Sequence, residues 1–140
     1  MSIGFTGTKK GMTTDQRSSV LRILNSMKNR SVVHHGGCVG ADIDFDSICF
    51  ELGKIRVIHP SNIHSMQGKW HYTEHYRPEK PPLERNKDIV NESRILIATP
   101  SQFSEVTRSG TWFTIRYARN CKVDYKKIIY IILPDGTIEV

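Results

Sequence analysis

The stretch that most constrains this chain runs from Ser31 to Asp42, SVVHHGGCVGAD. A strand candidate, Ser31 to His35, meets three glycines, Gly36, Gly37 and Gly40, and passes straight into a helical pattern. Ala41, Phe45, Ile48, Cys49 and Leu52 recur at the spacing of one helix face, and Gly53 marks its end. A strand that ends on glycine and opens a helix is the joint of an α/β unit. Helix-terminal N–H groups beside residues without a side chain suit a phosphate.

The same joint recurs along the chain. Ile3 to Thr6 reads as a first strand, followed by Gly7-Thr8-Lys9-Lys10-Gly11. Thr13 and Gln16 then have capping-box spacing ahead of Val20, Leu21, Leu24 and Met27. Ile55 to His59 is a third strand, ended by Pro60. Leu83 to Glu92 reads as a helix, Arg94 to Thr99 as a strand, Pro100 to Arg108 as a loop and Gly110 to Asn120 as a helix. Lys127 to Leu133 reads as a fifth, buried strand, and Pro134-Asp135-Gly136 as a tight turn before Thr137 to Val140. Strands alternating with helices predict one α/β domain over residues 1–140. Its expected form is a Rossmann-like three-layer sandwich, a mostly parallel sheet with helices on both faces.

Ligands of such sheets bind outside the carboxyl ends of the strands, so the loops after the strands carry the functional expectation. Gly7, Thr8 and Lys9 offer close backbone approach and positive charge, although the GKS/T ending of a P-loop is absent. Gly36, Gly37, Cys38 and Gly40 offer backbone N–H groups in a GGxxG pattern distinct from the dinucleotide GxGxxG. Asp42 either caps the helix or bonds a ribose hydroxyl. Strand alternation turns one of His34 and His35 to the core and the other to the ligand side. Arg108, Ser109, Gly110 and Thr111 place a guanidinium, hydroxyls and amides at a helix start, and Ser109 also suits an N-cap. Arg85, beside Asn86, either reaches across the strand ends or pairs with Glu84 or Asp88.

Ser61 to Pro82 stands apart. It is polar, carries His64, His71 and His75 with Trp70, Tyr72 and Tyr76, and has no clear period. So long a stretch suits a lid whose histidines and lysines contact an anionic ligand. His71 and His75 have the spacing of one helical face, but neither CxxC nor HExxH accompanies them, so neither a metal nor a cofactor is expected.

The formal net charge of +6 favours anionic partners. Three cysteines without a CxxC argue against a disulfide framework and fit a reducing compartment. No secretory core and no membrane-spanning apolar run is read, so a cytoplasmic protein without a membrane partner is expected.

Taken in order, these residues resemble the superfamily that joins the DNA-processing protein A (Smf) family to the Lonely Guy family. Gly36 to Asp42 is similar to the first family's GGARGID loop, and Arg85-Asn86 with Ile89-Val90 to its RN-x-x-I segment. Ser109 to Ala118 is similar to its SG[ST]-x-x-T-x-R-x-A helix start. The resemblance covers nearly the whole chain. It implies a Rossmann-like fold that binds nucleotides, nucleotide-derived signals or single-stranded DNA, often as a homodimer or higher oligomer.

Two departures shape the functional expectation. The Lonely Guy enzymes release a base from a nucleoside monophosphate through PGGxGTxxE. Here Gly110-Thr111 matches the GT, and Thr114 stands where the catalytic Glu belongs. In the DNA-processing family the loop arginine contributes to DNA binding, and Val39 occupies its place. The reading is therefore a small-molecule binder that takes a phosphorylated nucleotide or nucleotide-derived ligand, with phosphate on the Gly36 and Ser109 loops. One alternative is a nucleotide N-glycosidase, which needs a carboxylate near the ribose, with Glu105, Asp42 and Glu74 as candidates. The other is a single-stranded DNA binder that stacks bases on Trp70, Tyr72 or Trp112.

Overall fold

The computed structural model describes residues 2–28, 30–123, 125 and 127–140. Its elements follow in the order β1 (Ser2–Gly7), α1 (Thr14–Asn25), β2 (Val32–His35), α2 (Ala41–Glu51) and β3 (Ile55–Ile58). A single 3-10 turn (His64–Met66) precedes α3 (Pro82–Asn91), β4 (Ile95–Thr99), α4 (Gly110–Arg119), β5 (Ile128–Ile132) and β6 (Ile138–Glu139). The strands form one sheet in the order β3-β2-β1-β4-β5-β6, parallel throughout except for β6. This is the Rossmann-like α/β arrangement that the alternation predicts.

Strand alternation divides the core between the two faces. Ile3, Phe5, Val33, Ile95 and Ile97 pack with Val20 and Leu24 of α1 and with Phe45 and Cys49 of α2. The Phe5 and Phe45 rings stack with centroids 4.1 Å apart. On the other face Leu96 packs with Val90 of α3 and Ala118 of α4, and Ala98 packs with Trp112 and Ile115. β4 is buried at all five positions because helices cover both its faces. β5 is buried only in its second half. Ile128 is 36% exposed, because β6 pairs only with Ile131 and Ile132.

The Thr13–Gln16 capping box forms as its spacing predicts. Gln16 N–H donates to Thr13 Oγ1 and Thr13 N–H to Gln16 Oε1, both at 3.0 Å. The buried Gln16 amide also donates to the Pro100 and Ile132 carbonyls, so one residue starts α1 and ties it to the ends of β4 and β5.

The segment between β3 and α3 differs from the expected lid. Past the His64–Met66 turn it is extended, so His71 and His75 share no helical face. It lies along the free edge of β3, with bridges from Ile58 to Tyr76 and from Ser61 to Lys80. Arg56, inside β3, holds it by donating to the His71 and Tyr72 carbonyls at 2.9 and 2.6 Å. An edge strand leaves unpaired N–H and C=O groups, and this polar segment satisfies them. Among the described residues no helix is long and apolar enough to cross a membrane.

Candidate functional site

The strand order reverses at the centre of the sheet. β1, β2 and β3 step outward in one direction, and β4 then returns to the other side of β1. Crossovers leaving in opposite directions open a crevice at the strand ends, the usual ligand position in sheets of this type. A cavity of about 450 Å³ occupies it. The loop after β1 contributes Gly7, Thr8, Lys9 and Lys10. Gly7 is required by close approach: a Cβ there would lie 2.5 Å from Ala41 Cβ, where α2 begins. The first turn of α3 supplies Arg85 and Asn86, and the loop after β4 supplies Ser101 and Gln102.

The opening of α4 supplies Arg108, Ser109, Gly110 and Thr111. Ser109 is the N-cap and accepts the Trp112 N–H at 3.2 Å, while the Phe113 N–H reaches the Ser109 carbonyl at 2.9 Å. The Gly110 and Thr111 amides precede the first intrahelical bond, so the helix leaves both without a carbonyl partner at its positive end.

Arg85 does not form the surface ion pair that its sequence neighbours allow. It is only 4% exposed. Nη1 donates to the Gly36 and His59 carbonyls, each at 2.9 Å, Nη2 to Cys38 Sγ at 3.3 Å and Nε to the Pro82 carbonyl at 3.3 Å. Every one of these partners is neutral. Asp88 is taken instead by Lys80 at 2.6 Å. Arg85 thus presents a buried cation to the cavity, and among the described residues it has no carboxylate pair.

The glycine loop after β2 departs from expectation most clearly. Several of its amides are already occupied: Gly37 N–H by His35 Nδ1, Val39 N–H by the Met66 carbonyl and Ala41 N–H by the Thr8 carbonyl. Cys38 N–H donates to Asp42 Oδ2 at 3.1 Å. Asp42 is not a helix cap, since Gly40 holds that position, and its carboxylate sits against the amide expected to meet a phosphate. Burial pushes the Asp42 carboxyl above its usual range, against the opposing charges of His35 and Arg85. Of this loop Cys38 and Asp42 line the cavity, whereas Gly36, Gly37 and Gly40 do not. Gly37 has φ +67°, and a Cβ there would lie 2.6 Å from the Trp70 ring.

His34 and His35 do point to opposite faces, but neither reaches the cavity. Both faces of β2 are covered, so only the strand ends are open to a ligand. His35 Nε2 contacts Asp46 Oδ1 at 2.8 Å, a carboxylate also held by Arg56 and by the His71 amide. His34 Nδ1 meets His59 Nε2 at 2.9 Å. Burial pushes both rings down, His59 to about 4.

Three further expected residues stay outside the cavity lining. Glu105 pairs with Arg116 and Arg119 at 2.9 and 3.5 Å. Thr114 turns its hydroxyl back to the Gly110 carbonyl at 2.8 Å. Glu74 is exposed beside His75. Of the 61–82 segment Met66 and Pro82 line the cavity, and its histidines and lysines do not. Trp112 is buried with its indole N–H on Gln102, Trp70 covers Gly37, and Tyr72 is 83% exposed. Lys10 lines the cavity beside Lys9, and Ser101 and Gln102, which follow β4, line it without a signal in their spacing. No protein-family model matches this chain, and neither a curated protein nor a solved structure does.

Proposed function

We propose that this chain binds a phosphorylated nucleotide or nucleotide-derived small molecule in the cavity between the ends of β1 and β4. The observation that carries the reading is Arg85, a buried guanidinium with only neutral partners, facing the same space as the amides that open α4. A buried cation without a direct ion pair is costly, and an anionic ligand supplies one. Lys9 and Arg108 add charge at the rim. The phosphate belongs at the Ser109 end, because the Gly37, Cys38, Val39 and Ala41 amides of the other loop are occupied from within. The volume of about 450 Å³ lies in the range of small-molecule sites.

Binding is favoured over base release on one further observation. Asp42 is the carboxylate on the cavity wall, and its Oδ2 is engaged by the Cys38 amide. The test is calorimetric titration with a nucleoside 5′-monophosphate, the matching nucleoside and ribose 5-phosphate. Saturable binding of the phosphorylated compounds, at least tenfold tighter than the nucleoside, is expected. Equal affinity for nucleoside and nucleotide, or no binding of either phosphate, would overturn the reading.

A further inference from the structure

On the α3 face of the sheet, outside the cavity lining, three side chains converge. We propose that His34, His59 and Glu92 hold a divalent transition-metal ion. Among the described residues, one ligating atom from each of the three lies within 4.8 Å of the other two. Both histidines are buried. His34 comes from β2, His59 follows β3, and Glu92 closes the carboxyl end of α3.

The two rings share one hydrogen bond, His34 Nδ1 with His59 Nε2 at 2.9 Å, which an ion ligated by both must replace. The rest of the hydrogen bonding around the trio is incomplete in a way that points to a ligand. His59 Nδ1 is buried and has no hydrogen-bond partner. It faces Glu92 Oε2 across 4.0 Å, which is too far for a hydrogen bond. Glu92 Oε1 accepts from Arg77 Nη2 at 2.6 Å and Nε at 2.9 Å. Oε2 has only a long 3.3 Å contact from Arg77 and so keeps its capacity to bind. A zinc-sized ion bonds imidazole nitrogen at about 2.0–2.1 Å and carboxylate oxygen at about 2.0–2.2 Å. Two such bonds at a tetrahedral angle set the nitrogen and oxygen about 3.4 Å apart, so a small swing of the partly exposed Glu92 carboxylate about its Arg77 contact closes the 4.0 Å gap. Arg77 on Oε1 then orients the ligating carboxylate, as outer-shell partners do.

The donor set selects the ion. Two imidazoles and one carboxylate suit Zn²⁺, Co²⁺, Ni²⁺ or Fe²⁺, whereas Mg²⁺ and Ca²⁺ take oxygen ligands. Three protein donors leave a position for water. The three surface histidines of the 61–82 segment form no such group: His64 pairs with Glu79, His71 lies edge-on to Phe50, and His75 faces Glu74.

The test is titration of the full chain with Co²⁺, followed by visible absorption, and with Zn²⁺, followed by calorimetry and thermal melting. One ion per chain and a raised melting temperature are expected. Glu92→Gln keeps the side-chain volume at a partly exposed position, and its fold is checked by circular dichroism. It is expected to weaken binding at least tenfold, while a His64→Ala/His75→Ala double variant binds as the parent does. No binding at one equivalent, full binding by the folded Glu92→Gln chain, or loss of binding in the surface double variant would each overturn the assignment.

Discussion

Arg85 and Gly36 are fitted to each other: Nη1 donates to the Gly36 carbonyl at 2.9 Å, and a Cβ on Gly36 would fall 2.6 Å from Arg85 Cζ. The glycine serves here as room for a guanidinium.

Gly36→Ala therefore moves Arg85 out of place. The crowding is expected to cost roughly 1–3 kcal/mol of stability. Affinity for a nucleoside monophosphate should fall at least tenfold. Melting and titration of the same variant read both effects. A variant that binds as the parent does would remove Arg85 from the site.

Ser109 separates stability from binding. Ser109→Ala removes the N-cap of α4 and should cost about 1 kcal/mol. Ser109→Asp keeps a capping oxygen, but it places a carboxylate at the helix end assigned to phosphate. Its melting temperature should match the parent while phosphate-dependent binding is lost. Retained binding in Ser109→Asp would move the anion elsewhere in the cavity.

Glu105→Gln tests the opposite expectation. Glu105 lies outside the cavity lining in a half-exposed cluster with Arg116 and Arg119. The substitution should leave ligand affinity unchanged and stability within about 1 kcal/mol. A binding defect, or loss of a base-releasing activity, would return Glu105 to the site.

Asp46 sets an acid limit. Burial alone pushes its carboxyl up, but the hydrogen bonds and charge of His35, the Arg56 guanidinium and the His71 amide more than reverse this, to about 2. The folded value is depressed below that of the open chain. The resulting stability is fully present above about pH 4 and is lost as pH falls toward 2, roughly 2 kcal/mol in all. Denaturant melts between pH 5 and pH 2 measure it, and Asp46→Asn should flatten the profile. An unaltered profile in Asp46→Asn would place the acid sensitivity elsewhere.

The alternation of strands and helices was legible because it depends on local spacing alone. Thr13 and Gln16 announced their capping box three residues apart, and Ser109 announced its cap. The loops after β1 and before α4 were legible as cavity walls for the same reason. The glycine loop misled because Asp42, two residues after Gly40, takes up the Cys38 amide. A sequence shows that a cradle exists but not what already fills it. Arg85 was readable as a cation, but its burial was not. Its partners Gly36 and His59 arrive through the β2–β3 pairing, far from it along the chain. The His34–His59–Glu92 trio left no local trace, because its members come from β2, the end of β3 and the end of α3 and meet only in the folded chain.

The central position of β1 also governs the order in which the chain can be assembled. Ile3 pairs with Val33 on one side and with Ile95 on the other. During synthesis β1, β2 and β3 are complete long before β4 exists, and the outward edge of β1 must wait for it. Contacts so distant along the chain slow folding, and an open strand edge in the interval invites association between nascent chains. The β1–β4 crevice is the last part of the centre to close. A ligand seated there recognises the finished chain and no earlier fragment.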